Sequence, residues 1–150
     1  MTYDNIDVEI IDLLLEDGRA SLRSIAEDIG VSVTTVSNHL EEMEQEGVIE
    51  GFKPVLSYPD LGYTVTSVLM IKAEGDDILE LVGELSEEES FLNVYEVTGD
   101  FDVIAIGKFR DTEEMNDIIK DLLNNPMVRE TNTNVVLSTV KEDEDVEFEY

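Results

Sequence analysis

Between Asn5 and Asp17 the apolar residues Ile6, Ile10, Leu13 and Leu14 share one face at about 100° per residue, with Asp4 and Asn5 ahead as caps and Gly18 behind. This spacing predicts a first helix. A second helix is predicted after Ser21, where Leu22, Ile25, Ala26 and Ile29 recur at offsets of three, four and seven. Gly30 closes it by permitting a left-handed backbone. Ser32 caps a third helix, predicted to bury Val33, Val36, Leu40 and Met43 and to end at Gly47. The three helices form a compact unit, and the second and third, joined by a glycine turn, have the spacing of a helix-turn-helix DNA reader.

After Gly47 the run Val48–Leu56 reads as extended chain, and Tyr58-Pro59-Asp60-Leu61-Gly62 reads as a turn. The predicted organisation is a helix-turn-helix domain over 1–50, an extended hinge over 51–63 and a second domain over 64–150. In the latter, a β-rich run from Thr64 to Ala73 precedes a helix over Asp76–Ser86 with Ile78, Leu81, Val82 and Leu85 inward. Strands over Phe91–Val97 and Phe101–Phe109 follow, joined by the tight turn Thr98-Gly99-Asp100. A helix over Thr112–Asn124 buries Met115, Ile118, Ile119 and Leu122, and Arg129–Val140 makes a last strand. The order β-α-β-β-α-β predicts a ferredoxin-like sandwich. The fold class is therefore α+β, an N-terminal three-helix (winged) helix-turn-helix domain plus this C-terminal sandwich. One sheet face, expected to carry Val65, Val68, Tyr95, Val103 and Ile104, lacks a helix layer, so a dimer through the sheets is expected.

Composition narrows the chemistry. With no cysteine and only His39, thiolate sites and multi-histidine clusters within one chain are out of reach, and no cofactor or metal is expected. No run of about 18 apolar residues occurs, and the N-terminus lacks a basic region followed by an apolar core, so a soluble cytoplasmic protein is expected. Thirty-seven acidic residues against nine basic give a net charge of -28. The regular apolar spacing argues against disorder. Acidic residues on every predicted helix, with only five lysines, resemble the proteomes of halophiles. In molar salt the Debye length is about 3 Å, so carboxylate repulsion is screened.

The exposed side of the third helix centres near Asn38 and includes Thr34, Thr35, Glu41 and Glu42. Its first turns are uncharged and short. Asn can make a bidentate contact with adenine and a Thr methyl can touch a thymine methyl in the major groove, so the helix is expected to enter by its N-terminal end. The candidate DNA contacts are Arg19, Arg23, Ser32, Thr34, Thr35, Ser37, Asn38 and His39, with Arg19, Arg23 and Lys53 the only basic residues before position 60. A solvated helix face, surface-solubilising arginines and a histidine at the helix seam are the bland readings of the same residues.

The whole chain resembles a transcription regulator of the leucine-responsive, Lrp/AsnC or feast/famine, family. The resemblance is carried by Asp7–Leu14, Asp17-Gly18-Arg19, the helix-turn-helix, Glu46–Phe52 and Val97-Thr98-Gly99-Asp100-Phe101-Asp102, together with the β-α-β-β-α-β block. It implies a DNA-binding domain, a ligand domain, dimers that assemble into octamers or rings, and an amino acid as effector. The resemblance places the effector site between dimers, near Thr98, Gly99, Asp100, Phe101 and Asp102 and the final strand around Thr131 and Thr133. A zwitterion there would use Asp100 or Asp102 for its ammonium and hydroxyl or amide donors for its carboxylate. Gly99-Asp100 reads equally as an ordinary hairpin turn. Where the family carries Arg or Lys, this chain has His39, Glu41 and Glu42.

The expected function is sequence-specific DNA binding to a palindromic operator, coupled to an amino acid, by a protein that is not an enzyme. Fourteen acidic against three basic residues before position 61 motivate an alternative, an assembly partner that has lost DNA contact. Tetrapyrrole decarboxylases resemble the same two-domain architecture but are expected to use histidine in the second domain, and this chain has none after His39.

Overall fold

The computed structural model describes residues 4–143 and residue 146. The chain divides into two compact units, with the break in the main run between Leu56 and Ser57. In the first, α1 (Asn5–Glu16), α2 (Leu22–Ile29) and α3 (Val33–Gln45) enclose Ile10, Ile25, Ala26, Val36 and Met43, all buried. Ile6, Leu13, Leu14, Leu22, Ile29 and Leu40 pack around them.

Each of these three helices starts where a side chain accepts orphan backbone N–H groups of its first turn. Asp4 accepts from the amides of Ile6 and Asp7, and the Asp7 carboxylate accepts from the Asp4 amide, a reciprocal capping box. Ser21 accepts from Ser24, and Ser32 from Thr35. Gly30 ends α2 at φ 84, and the Gly30 and Val31 amides both donate to the Ala26 carbonyl. Val33 departs from expectation. At the first position of α3 it stands at the rim of the apolar stripe, 45% exposed and outside the core cluster. The run Val48–Leu56 differs from expectation at its start: Val48 and Ile49 bend back so that both amides donate to the Met43 carbonyl, and residues 50–57 form no strand ladder among the described residues.

The second unit opens with a 3₁₀ turn at Pro59–Leu61, closed by Gly62 at φ 91. Its elements are β1 (Val65–Ala73), α4 (Ile78–Ser86), β2 (Phe91–Glu96), β3 (Val103–Phe109), α5 (Thr112–Asn124) and β4 (Val128–Val135). The antiparallel sheet has the order β2-β3-β1-β4. Both crossovers, through α4 and α5, pack on one face. There Leu69, Ile71, Ala73, Val103, Ala105 and Phe109 from the central strands meet Leu81 and Leu85 of α4 and Met115 and Leu122 of α5. The opposite face carries Val68, Met70, Ile104 and Ile106, half-buried, and Tyr95, exposed, and among the described residues of this unit both α-helices lie on the other side.

Two residues expected on that open face lie on the other. Val103 is fully buried and pairs with Ile71, and Val65 packs against the same core, because strand alternation puts odd positions of β1 and their partners toward the helices. Met70 and Ile106 take their places. The last strand is also shorter than expected. The ladder with β1 ends with Ser67 opposite Val135 and one further bond from the Val136 amide to the Thr66 carbonyl, although β1 itself reaches back to Val65.

Gly107 of β3 sits beneath the edge-to-face pair of Phe91 and Phe109, whose ring centroids are 6.4 Å apart. A Cβ at this position would stand 2.5 Å and 2.7 Å from Phe109 ring carbons and 3.0 Å from Phe91 Cδ1. Gly107→Ala should therefore destabilise the second unit by about 1–3 kcal/mol through overpacking. Chemical denaturation reads this directly, and an unchanged midpoint would show that the rings yield without cost.

Candidate functional site

The glycine turn between α2 and α3 sets the first turn of α3 outside the core, and the Ser32 cap fixes how that turn begins. Ser32 Oγ accepts from the Thr35 amide at 3.0 Å and lies 2.8 Å from Thr35 Oγ1. Both hydroxyls are thus engaged with each other, and Thr35 is half-buried. Thr34 and Asn38, four residues apart on one face, are exposed, and Ser37 is half-buried beside them. Glu41 and Glu42 continue the exposed surface one turn later. The surface facing solvent is therefore neutral and hydrogen-bonding at the N-terminal end, where the helix dipole favours anions, and acidic beyond it.

The arginines differ in their engagement. Arg19 is exposed, and its backbone amide donates to Asp17 Oδ1 at 2.9 Å. Arg23 donates from Nε to Glu27 Oε1 at 3.0 Å with both side chains largely exposed, a pair worth about 0–1 kcal/mol and easily surrendered to a phosphate. His39 lies elsewhere. About 100° round α3 from Asn38, it turns toward α1, with Nδ1 2.8 Å from Asp7 Oδ1 and a side chain only 22% exposed. Of the two readings that the sequence offers for it, a DNA contact and a histidine at the helix seam, its contact with Asp7 is that of the seam. The donor atoms of Asp4, Asp7 and His39 lie within 4.8 Å of one another, yet both carboxylates already serve the capping box of α1.

In the second unit the loop between β2 and β3 is longer than a two-residue turn. The Val97 amide donates to the Asp102 carbonyl at 2.8 Å, enclosing Thr98–Phe101, with Gly99 at φ 117, a value that disfavours any side chain. The strand starts at Val103, not Phe101, because Asp102 is held by the end of β1. Its amide donates to the Ile71 carbonyl at 3.0 Å, and its Oδ2 accepts from the Ala73 amide at 2.8 Å. Asp102 is thus spent on the fold, whereas Thr98, Gly99 and Asp100 are exposed.

Thr131 pairs with Ile71 and Thr133 with Leu69, so both threonines are half-buried and share the helix-covered side of β4. Ile71 also pairs with Val103, which puts Thr131 in the same cross-strand row as the end of the loop, two strands away. The structure brings the loop and Thr131 to one end of the sheet. Composition and spacing did not reveal an open cleft of about 500 Å³ between α4 and α5, lined by Asp77, Glu80, Glu84, Asp121, Asn125 and others. Its one distinctive contact is Asn125 Nδ2 donating to Glu84 Oε2 at 2.7 Å. Among the described residues no helix is long and apolar enough to cross a membrane.

A helix-turn-helix followed by a ferredoxin-like sandwich with an open sheet face defines a two-domain class of DNA-binding proteins. Residues 3–50 match the winged helix-turn-helix DNA-binding family, and residues 66–146 match the Lrp/AsnC ligand binding domain. The chain belongs to the Lrp/AsnC family. It is 43% identical over 143 residues to an uncharacterized HTH-type transcriptional regulator of Pyrococcus furiosus, covering 95% of this chain and 97% of that one. Among solved structures it is similar to Escherichia coli AsnC, with a TM-score of 0.90 at 23% identity over 95% of this chain and 97% of the other. It is likewise similar to a transcriptional regulator of Neisseria meningitidis in complex with L-Met, with a TM-score of 0.91 at 20% identity over 97% of each chain.

Asn38→Ala should lower discrimination between a specific duplex and random DNA by about 1–3 kcal/mol, the worth of a bidentate base contact. Competition binding measures this, and equal loss on both duplexes would reassign Asn38 to the backbone.

Proposed function

We propose that the chain is a sequence-specific DNA-binding transcriptional regulator whose DNA binding or assembly responds to an amino acid. The observation that carries the reading is the neutral N-terminal face of α3, with Thr34 and Asn38 exposed at the end of a capped glycine turn. Thr34, Ser37 and Asn38 read base edges; Arg19, Arg23 and the amide end of α3 hold phosphates. The open sheet face, with Val68, Met70, Ile104, Ile106 and Tyr95, is covered by a second copy, and the twofold dimer matches a palindromic operator. Octamers are the next level of assembly. The protein works in the cytoplasm, and its acidity reports a salt-rich interior.

The effector site comprises Thr98–Asp102 with Thr131 and Thr133. Support comes from the family, from the L-Met complex of the Neisseria regulator, and from the geometry of the loop. Asp100 meets the effector ammonium, since Asp102 already accepts from the Ala73 amide; loop amides and threonine hydroxyls meet its carboxylate. A second reading, an assembly partner without DNA contact, is favoured by exposed Glu41 and Glu42 beside Asn38.

The experiment is enrichment of a binding sequence from a randomised duplex pool in molar potassium chloride, followed by titration with each amino acid. An enriched sequence whose affinity one amino acid alters is the expected result, with the same factor appearing in the affinity for the amino acid. No enrichment would favour the assembly-partner reading. Asp100→Ala should abolish the amino-acid response while leaving the sedimentation of the protein unchanged; a retained response would return the loop to a purely structural turn.

A further inference from the structure

We infer that His39 is a positioning residue for DNA reading. It acts by fixing the roll of α3 against α1 through its bond to Asp7, and the inference rests on the assignment of α3 as the reading helix. The apolar cluster that joins the helices is held by a non-directional force, to which the His39–Asp7 contact adds one of fixed direction. A hydrogen bond is directional.

The His39 bond has a fixed anchor. Asp7 Oδ2 accepts from the Asp4 amide and the Asp7 amide donates to Asp4 Oδ1, so the carboxylate cannot swing without opening the cap of α1. Its remaining oxygen, Oδ1, faces His39 Nδ1 at 2.8 Å, with Asp4 Oδ1 4.0 Å from the same nitrogen. Asp7 is 15% and His39 22% exposed at the side chain, which shields the bond from competition by water. Asn38 is the adjacent residue, so a rotation of α3 that breaks this bond displaces the amide proposed to read a base. Base contacts demand that geometry, whereas phosphate contacts tolerate its loss.

The test compares affinities of the full chain for the duplex enriched by the wild-type protein and for a random duplex, with thermal unfolding by circular dichroism alongside. His39→Ala should reduce the ratio of the two affinities by at least about fivefold, within the coupling range of residues in direct contact. His39→Asn, which places an amide nitrogen where Nδ1 stands, should restore the ratio to within about twofold of wild type. Adding Asp7→Ala to His39→Ala should lower the unfolding temperature without a further fall in the ratio.

An unchanged ratio in His39→Ala, failure of His39→Asn to restore it, or additive losses in the double variant would overturn the inference. If the alanine variants do not fold, His39→Asn decides alone: a ratio near wild type supports the positioning role, and a lost ratio refutes it. A pool that yields no enriched duplex overturns the DNA-reading account and this inference with it.

Discussion

The constraint on which the structure depends is charge. Thirty-seven carboxylates and nine cations cannot be matched pairwise, so this chain cannot be held together by ion pairs. Two such pairs, Arg23–Glu27 and Lys120–Asp117, join exposed neighbours on single helices and contribute little. The carboxylates are instead used as acceptors for backbone N–H groups. Asp4 and Asp111 cap α1 and α5, Asp17 and Glu88 receive amides in turns, and Asp102 receives the Ala73 amide at the end of β1. Each satisfies a donor that would otherwise be orphaned, and none needs a cation. Cohesion then comes from two apolar clusters, one per unit.

The same constraint shapes the approach to DNA. A surface of this charge repels phosphates, so binding must concentrate where the backbone supplies positive potential. The place proposed for this is the N-terminal half of α3, where Ser32, Thr34, Thr35 and Asn38 are neutral and the helix dipole favours anions. Glu41 and Glu42, exposed one turn further, would in that proposal limit how deeply the helix engages. Screening by concentrated salt lowers the repulsion without removing hydrogen bonds to base edges.

Much of the fold was legible in the pattern of residues. Helices α1 and α3 begin beside the caps that Asp4 and Ser32 suggested, and α2 begins after Ser21 as expected, because capping is a local property. The β-α-β-β-α-β order is likewise local periodicity repeated. Facing is less legible: Val65 and Val103 read as well on either side of the sheet, and only pairing with Phe109 and Ile71 assigns them to the helix-covered core. The extent of β4 is defined by its pairing with β1, where Ser67 stands opposite Val135, a distant partner that no local window along the chain contains. A seam position for His39 was legible from its place at the flank of the wheel, but its partner was not, since nothing near position 39 announces Asp7. In the same way, the loss of Asp102 to the fold was hidden until Ala73 came alongside.

The most direct measurement is the affinity of the wild-type protein for its enriched duplex and for random DNA across potassium chloride from low to molar concentration. If neutral base reading dominates and cations bridge carboxylate and phosphate, affinity for the enriched duplex should fall only shallowly, or rise, with salt while discrimination persists. A steep fall, with discrimination lost at molar salt, would show that phosphate charge governs binding and would contradict the account.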